Sequence, residues 1–348
     1  MTGNKLTKVV AVVGSTASGK SDLGIRLAKK FSGEVISADS RQVYRGMSLG
    51  TGKVQRDSIK ESVSSIKGAE KYYFSKGIRH HLIDVANPKK QFTADDFRIL
   101  GREAIENIVS RNKIPIIVGG TGFYIDVLLG RMSVAEVPSN KKLRAQFDRL
   151  TVEHLFKMLK KLDPKRAKTI EPKNKRRLVR ALEIVLTTGK SVPKQESRIW
   201  NLESRKFDIL WIGLKPKNLE KRIKKRLDER LKQEMIKEIA SLHKQGISWK
   251  RLDDFGLEYR WVSRWLKNHG SQRSQITNPK SPVGDLGSPI LDYKSFLNSQ
   301  EYQNLLRDIT KYSKRQMTWF KRNKEIHWLA SSKAEGVKKA EKLFQSFI

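Results

Sequence analysis

Gly14-Ser15-Thr16-Ala17-Ser18-Gly19-Lys20-Ser21 has the spacing of a phosphate-binding loop, G-x-x-x-x-G-K-[ST]. In such a loop, backbone N–H groups and the N-terminus of the following helix point at an anion. Lys20 sets a positive charge near the outer phosphates, and the Ser21 hydroxyl is a ligand for a magnesium ion. Asp39-Ser40-Arg41-Gln42 follows a second apolar run. A carboxylate at Asp39 can act as a general base or hold a magnesium-bound water; equally, it can cap the next turn. Thr121 ends the turn Gly119-Gly120-Thr121. Glycines there let backbone and a small hydroxyl approach a ligand, and the same residues also suit a tight turn with a helix N-cap.

These groups do chemistry only if strands and helices deliver them together. Val9–Val13, Glu34–Ala38, Ile114–Val118 and Ile209–Leu214 are short apolar runs that suit buried strands. Leu23, Leu27 and Ala28 recur at helical spacing after the loop, and Gly33 stops that helix. The order predicts an α/β protein: a P-loop NTPase-like core with a parallel sheet flanked by helices. In such sheets ligands bind outside the carboxyl ends of the strands, where the loop, Asp39 and Thr121 all fall. A helix capped by Thr93 is predicted to about Asn112, and another over Phe123–Leu129. Residues 138–204 are basic and helix-like, so a small all-helical insertion domain is expected within a discontinuous core of 1–137 and 205–348. Pro216 and Asn218 open one long predicted helix to about His243, with Arg222, Arg226 and Arg230 as a basic row. Residues 53–79 suggest a helical or loop excursion, and 268–292 a loop. A last long helix is expected from Ser299 to Asn323.

The 348 residues carry a net charge of +36. A polyanionic partner accounts for such an excess, and nucleic acid fits better than a membrane surface. With no cysteine, disulfides, thiolate zinc sites and cysteine nucleophiles are excluded. No apolar run approaches the ~20 residues needed to span a bilayer, so a cytoplasmic protein is expected. His80 and His81 are adjacent and would face opposite sides of a strand, which suits a structural or hydrogen-bonding role better than a shared metal. Lys173, Lys175, Arg176, Arg177 and Arg180 form a dense basic cluster; Lys311, Lys314, Arg315, Lys321, Arg322 and Lys324 form another, interleaved with Tyr312, Trp319 and Phe320. Both suit contact with RNA, or a solvated charged face. The strand at 114–118 ends in glycine and threonine, without the magnesium-holding aspartate usual in nucleotide hydrolases; Asp84 is a candidate substitute.

Together the ordered motifs resemble the tRNA dimethylallyltransferase family, bacterial type. They are the phosphate loop, Ile36–Met47, Gly50-Thr51-Gly52-Lys53, His80–Asp84, Val118–Tyr124, Asn174–Glu183, Arg222-Ile223 with Arg226, Gly256–Arg260 and Lys314–Phe320. The likeness spans nearly the whole chain. It implies transfer of a dimethylallyl group from dimethylallyl diphosphate to the exocyclic amine of the adenine just 3′ of a tRNA anticodon. By that resemblance Gly14 to Ser21 bind the diphosphate, with Ser21 on Mg2+. Asp39 accepts a proton from the amine, and Thr121 and Arg226 stabilise the departing phosphate oxygens. The residues matching tRNA-contacting segments are Asp39, Ser40, Arg41, Gln42, Arg176, Arg177 and Arg180. The expected partners are the tRNA anticodon stem-loop and dimethylallyl diphosphate, with no membrane, and the protein acting as a monomer. Eukaryotic relatives carry a C-terminal zinc finger, which a cysteine-free chain lacks. Three other readings compete: prenylation of free adenine nucleotides, a small-molecule kinase using ATP, and an RNA-binding module with a relic loop.

Overall fold

Val9 to Val13 are fully buried, with Val9, Ala11 and Val13 turned to one face of a sheet and Val10 and Val12 to the other. Burying such side chains on both faces contributes roughly 1.5–3 kcal/mol apiece for the valines, and this makes the strand central. The computed structural model describes residues 6–58, 72–134, 137–192, 206–274, 293–330 and 334–348. The chain divides into two compact units, Met1–Leu129 with Leu202–Ile348, and Gly130–Asn201.

In the first unit the strands are β1 (Thr7–Gly14), β2 (Gly33–Ala38), β3 (Tyr73–Ser75), β4 (Ile78–His81), β5 (Ile114–Gly119), β6 (Phe207–Leu214) and β7 (His327–Leu329). They form one sheet in the order β3-β4-β2-β5-β1-β6-β7, parallel except for the β3–β4 pair. Val13 pairs with both Gly119 and Gly213, and Ala38 with Gly119. The ends of β1, β2 and β5 therefore stop side by side. The phosphate loop, Asp39 and Thr121 leave the sheet at one edge.

Helix α1 (Lys20–Lys30) covers one face, setting Leu23, Leu27 and Ala28 on Val10, Val12, Ile116 and Val118. The other face is covered by α2 (Ala94–Val109) and α3 (Gly122–Leu128). Thr93 caps α2 as expected. Its Oγ1 accepts from the Asp96 N–H, and the Asp96 carboxylate accepts from the Thr93 N–H.

The residues numbered 53–79 depart from the expected excursion. β3 and the first residues of β4 form a hairpin around Lys76 and Gly77, both at positive φ, whose N–H groups donate to the Asp57 carboxylate. That carboxylate pays for a tight turn that Lys-Gly alone does not announce. Residues 59–71 lie outside the described residues.

In the second unit, helices α4 (Lys141–Asp148), α5 (Val152–Leu162), α6 (Pro164–Ala167) and α7 (Lys175–Thr188) pack around Phe147, Leu155, Leu159, Leu178 and Leu182. Asn140, Thr151, Asp163 and Asn174 cap them through side-chain oxygens, as the short polar residues before each helix dictate.

The chain returns to the first unit for α8 (Leu219–Lys232), α9 (Met235–Lys244), α10 (Trp249–Phe255), α11 (Leu257–Ser274), α12 (Tyr293–Leu297), α13 (Gln300–Phe320) and α14 (Ala334–Phe347). The single helix expected to His243 is broken: Glu234 takes φ 71 and separates α8 from α9. The break lets Leu227 and Leu231 of α8 enter the same cluster as Ile236 and Ile239 of α9. No glycine or proline marks it. α11 carries helix to Ser274, into the stretch expected as loop; residues 275–292 lie outside the described residues. β7 and α14 extend the sheet and its cover beyond the expected elements. Phe344 of α14 stacks on Phe31 with ring centroids 4.2 Å apart. Among the described residues no helix is long and apolar enough to cross a membrane.

Candidate active site

The phosphate loop leaves β1 through Gly14, whose φ is 149°. A Cβ there would sit 2.8 Å from the Leu214 carbonyl oxygen, so only glycine fits. Ala17 and Gly19 take φ 58 and 93. Lys20 then opens α1, and its Nζ donates to the Ser15 carbonyl at 3.1 Å. The hydroxyls of Ser15 and Ser18 are buried with no hydrogen-bond partner among the described residues. Unpaired buried hydroxyls cost about 1–3 kcal/mol each, and a phosphate seated in the loop supplies acceptors for such donors. Two side chains brace the loop from outside. Arg222 Nε donates to the Ala17 carbonyl, and the Thr16 N–H donates to Gln316 Oε1, both at 2.8 Å.

Asp39 satisfies two readings at once. Its Oδ1 accepts from the N–H groups of Arg41 and Gln42, at 2.9 and 3.3 Å, so it caps its own turn. It also lines a cleft together with Thr16, Lys20, Ser21 and Arg226. Thr121 does not cap α3 through its side chain. Its Oγ1 instead accepts from the Ser40 N–H at 3.2 Å, tying the β5 turn to the Asp39 turn. Tyr312 lines the same cleft. Burial, and then the Asp39 charge, push its phenol up. Within the basic and aromatic stretch of α13, Tyr312 thus faces the cleft.

The arginine row of α8 reaches the site one turn at a time. Arg226 Nη2 donates to the Gly52 carbonyl at 2.8 Å. Arg230 donates to the carbonyls of Leu49 and Gly50 and pairs with Glu258 at 2.8 Å. Glu258 also pairs with Arg41 at 3.3 Å, so this buried carboxylate stands between two guanidiniums. Burial opposes its charge, but Arg230 and Arg41 outweigh that and hold its pKa below the usual range. Glu238 fixes the same loop from the other side, accepting from the N–H groups of Ser48, Leu49 and Gly50 and from the Tyr259 hydroxyl. Burial, and then the nearby Arg226, pull Lys20 down to about 8. Burial and Arg230 likewise lower Arg226, whose guanidinium keeps its charge. Lys20 and Arg226 make this wall of the cleft cationic.

The cleft is also lined by Val35, Val54, Ile83 and Val118, which give it an apolar share, and by His80. Burial pulls His80 down to about 4, so the ring is neutral near pH 7, with Nδ1–H donating to the Ile78 carbonyl. His81 bonds instead to Glu34 at 2.8 Å, consistent with adjacent residues turned apart. Asp84 pairs with Lys53 at 2.5 Å and is not among the residues lining the cleft, which leaves it poorly placed as the substitute magnesium aspartate. Among the described residues no group of three or more His, Cys, Asp or Glu side chains is disposed to hold a metal.

The residues expected to meet tRNA divide by environment. Arg41 lies in the cleft, paired with Glu258 and with its guanidinium 5.4 Å from the Tyr312 ring centroid. Gln42 accepts from the Ser37 hydroxyl and donates to the carbonyls of Thr51 and Gly52. In the second unit Arg176 and Arg177 are exposed at the start of α7. Arg177 lies 3.7 Å from Glu171, also exposed. Arg180 bonds the fully buried Glu183 and the Val137 carbonyl. Arg230, Glu258 and Gln316 were visible only as members of a row or a motif, and Glu238 carried no signal at all. Their partners lie up to 300 residues away.

The sequence model of the IPP transferase family matches residues 42–323. The chain is 34% identical to tRNA dimethylallyltransferase 1 of Geotalea uraniireducens over 341 residues, covering 97% of each protein. It is similar in structure to the full-length tRNA isopentenylpyrophosphate transferase of Bacillus halodurans, with a TM-score of 0.61 and 28% identity, covering 99% of this chain and 97% of that one. It shares its fold with a eukaryotic dimethylallyltransferase acting on tRNA, with a TM-score of 0.70 at 24% identity, covering 98% and 80%. With a phosphate loop, a strand-end carboxylate and an arginine row on one cleft, the chain belongs to the IPP transferase family, that of the tRNA dimethylallyltransferases.

Proposed function

We propose that this prenyltransferase moves a dimethylallyl group from dimethylallyl diphosphate to the N6 amine of the adenosine 3′-adjacent to the anticodon in tRNA, releasing diphosphate. The observation that carries the reading is one cleft lined by both a cationic loop and an apolar wall: Lys20 and Arg226 on one hand, Val35, Val54, Ile83 and Val118 on the other. An allylic diphosphate has both characters in one molecule.

Adenine's exocyclic amine is a weak nucleophile because its lone pair is delocalised. The allylic carbon compensates by gaining stabilised cation character as its bond to diphosphate lengthens. The C–O bond breaks as the N–C bond forms. The proton lost from nitrogen passes to Asp39, whose Oδ1 is already oriented by two N–H groups. Lys20, the loop N–H groups and Arg226 hold the charge that develops on the leaving diphosphate. Thr121 serves by fixing the Asp39–Ser40 turn through its bond to Ser40. Magnesium fits as an ion shared with the substrate: Ser21 would offer one oxygen donor and the phosphates the rest, which leaves Asp39 free to take the proton. When bound it neutralises phosphate charge. The exposed Arg176 and Arg177 contact the tRNA backbone, and the protein acts in the cytoplasm as a monomer.

The test is a labelling experiment with protein, magnesium, labelled dimethylallyl diphosphate and tRNA, beside AMP and free adenine. Label in tRNA alone is the expected result. Label in AMP but not in tRNA would overturn the tRNA assignment, and ATP turnover without prenylation would place the chain with the kinases.

A further inference from the structure

Gln316, which lines the cleft and braces the phosphate loop, also joins that loop to a second one. It is 6% exposed. Its Oε1 accepts from the Thr16 N–H at 2.8 Å, and its Nε2 donates to the Gly120 carbonyl at 2.9 Å. Thr16 belongs to the phosphate loop after β1, and Gly120 to the turn after β5. One amide therefore spans two neighbouring strand ends. A primary amide suits this span because it offers an acceptor and a donor without a charge beside the anion site.

The turn is shaped to receive it. A Cβ on Gly120 would fall 2.2 Å from Gln316 Nε2, and one on Gly122 would fall 2.2 Å from Trp319 Cδ1. Trp319 Nε1–H donates to Asp126 at 2.8 Å. Gln316 and Trp319 are three apart on α13 and so share a face. That face lies against the β5 turn at two glycines, which pins the helix before the amide reaches the phosphate loop.

We propose that Gln316 is a positioning residue, a latch that sets the distance and orientation of the diphosphate loop relative to the Gly119–Thr121 turn. It acts through Thr16 and Gly120 rather than on the substrate. The inference rests on the reading of the loop as a diphosphate site, but its first test does not need prenylation. Pyrophosphate affinity is measured by titration calorimetry on the full chain, for the parent, Gln316→Met, Gly120→Ala and the double variant, with Tm recorded for each. Met keeps the volume and removes both hydrogen bonds; Ala at 120 displaces the amide from the other side. Each single variant is expected to weaken pyrophosphate roughly tenfold, the size of one or two lost hydrogen bonds. The double variant is expected to lose little more, since both changes break one link. In the prenylation assay the KM for dimethylallyl diphosphate rises with it while the KM for tRNA holds. A lowered Tm with unchanged pyrophosphate affinity would reduce Gln316 to a structural contact and overturn the proposal. So would tighter binding, which would mean that the amide competes with the anion for the Thr16 N–H. A parent chain that binds pyrophosphate but prenylates nothing would defeat the proposed reaction and leave the latch to be judged by pyrophosphate alone.

Discussion

Lys20 decides by its charge what the cleft can hold. Its pKa, lowered to about 8 by burial and by Arg226, lies far below that of an ordinary lysine. Below pH 8 the ammonium is already present and an anion meets it directly. Above pH 8 the empty protein has to take up a proton to bind, so affinity falls by up to about tenfold per pH unit. Pyrophosphate titrated at pH 7 and at pH 9.5 is expected to lose more affinity to the parent than to Lys20→Arg, whose guanidinium stays charged at both. The ligand's own titration is common to both proteins and cancels. Asp39 and Arg226 line the same cleft, and the proposed reaction gives them different tasks. Asp39→Ala and Arg226→Ala are each expected to lower kcat by about 10²–10⁴, the range for a lost general base or a lost charge on a leaving group. Near-normal turnover in both variants would remove those roles.

At the scale of elements, α8 works as a rack. Arg222, Arg226 and Arg230, each one turn on from the last, hold carbonyls of the phosphate loop and of the 49–52 loop. Helix α7 divides its arginines differently. Arg180→Ala strips a partner from Glu183, whose side chain is fully buried, and is expected to lower stability by about 1–3 kcal/mol, seen as a lower Tm. Arg177→Ala, at an exposed position, is expected to leave Tm in place. The sheet and the strand-loop-helix order were readable because each rests on a local pattern: Val9–Val13 before Gly14, Glu34–Ala38 before Asp39. The break at Glu234 was not, since it carries no glycine or proline and is imposed by the cluster that both helices share. The hairpin at Lys76-Gly77 depends on Asp57, nineteen positions upstream of Lys76. Asp39 and Arg226 were legible as types at strand ends and on helix faces. Gln316 and Glu238 were not, because an amide and a carboxylate amid helical sequence look like solvent-facing residues until the loops they hold are in place.

For the whole molecule, a net charge of +36 makes association with a polyanion strongly dependent on salt. Arg177→Ala is expected to flatten the slope of log affinity for tRNA against log salt by about 0.7–0.9, the share of one phosphate contact. An unchanged slope would remove Arg177 from the interface. The strand order also has a meaning in time. The phosphate loop is written in the first 21 residues, yet β1 lies between β5, at 114–119, and β6, at 207–214. Its loop is then braced by residues 222 and 316. A ribosome that has finished the loop has made none of the parts that hold it. At about 5–20 residues per second, tens of seconds separate the loop from its last brace. The braced loop therefore exists only once residue 316 has been made: the proposed anion site assembles long after its own sequence has left the ribosome.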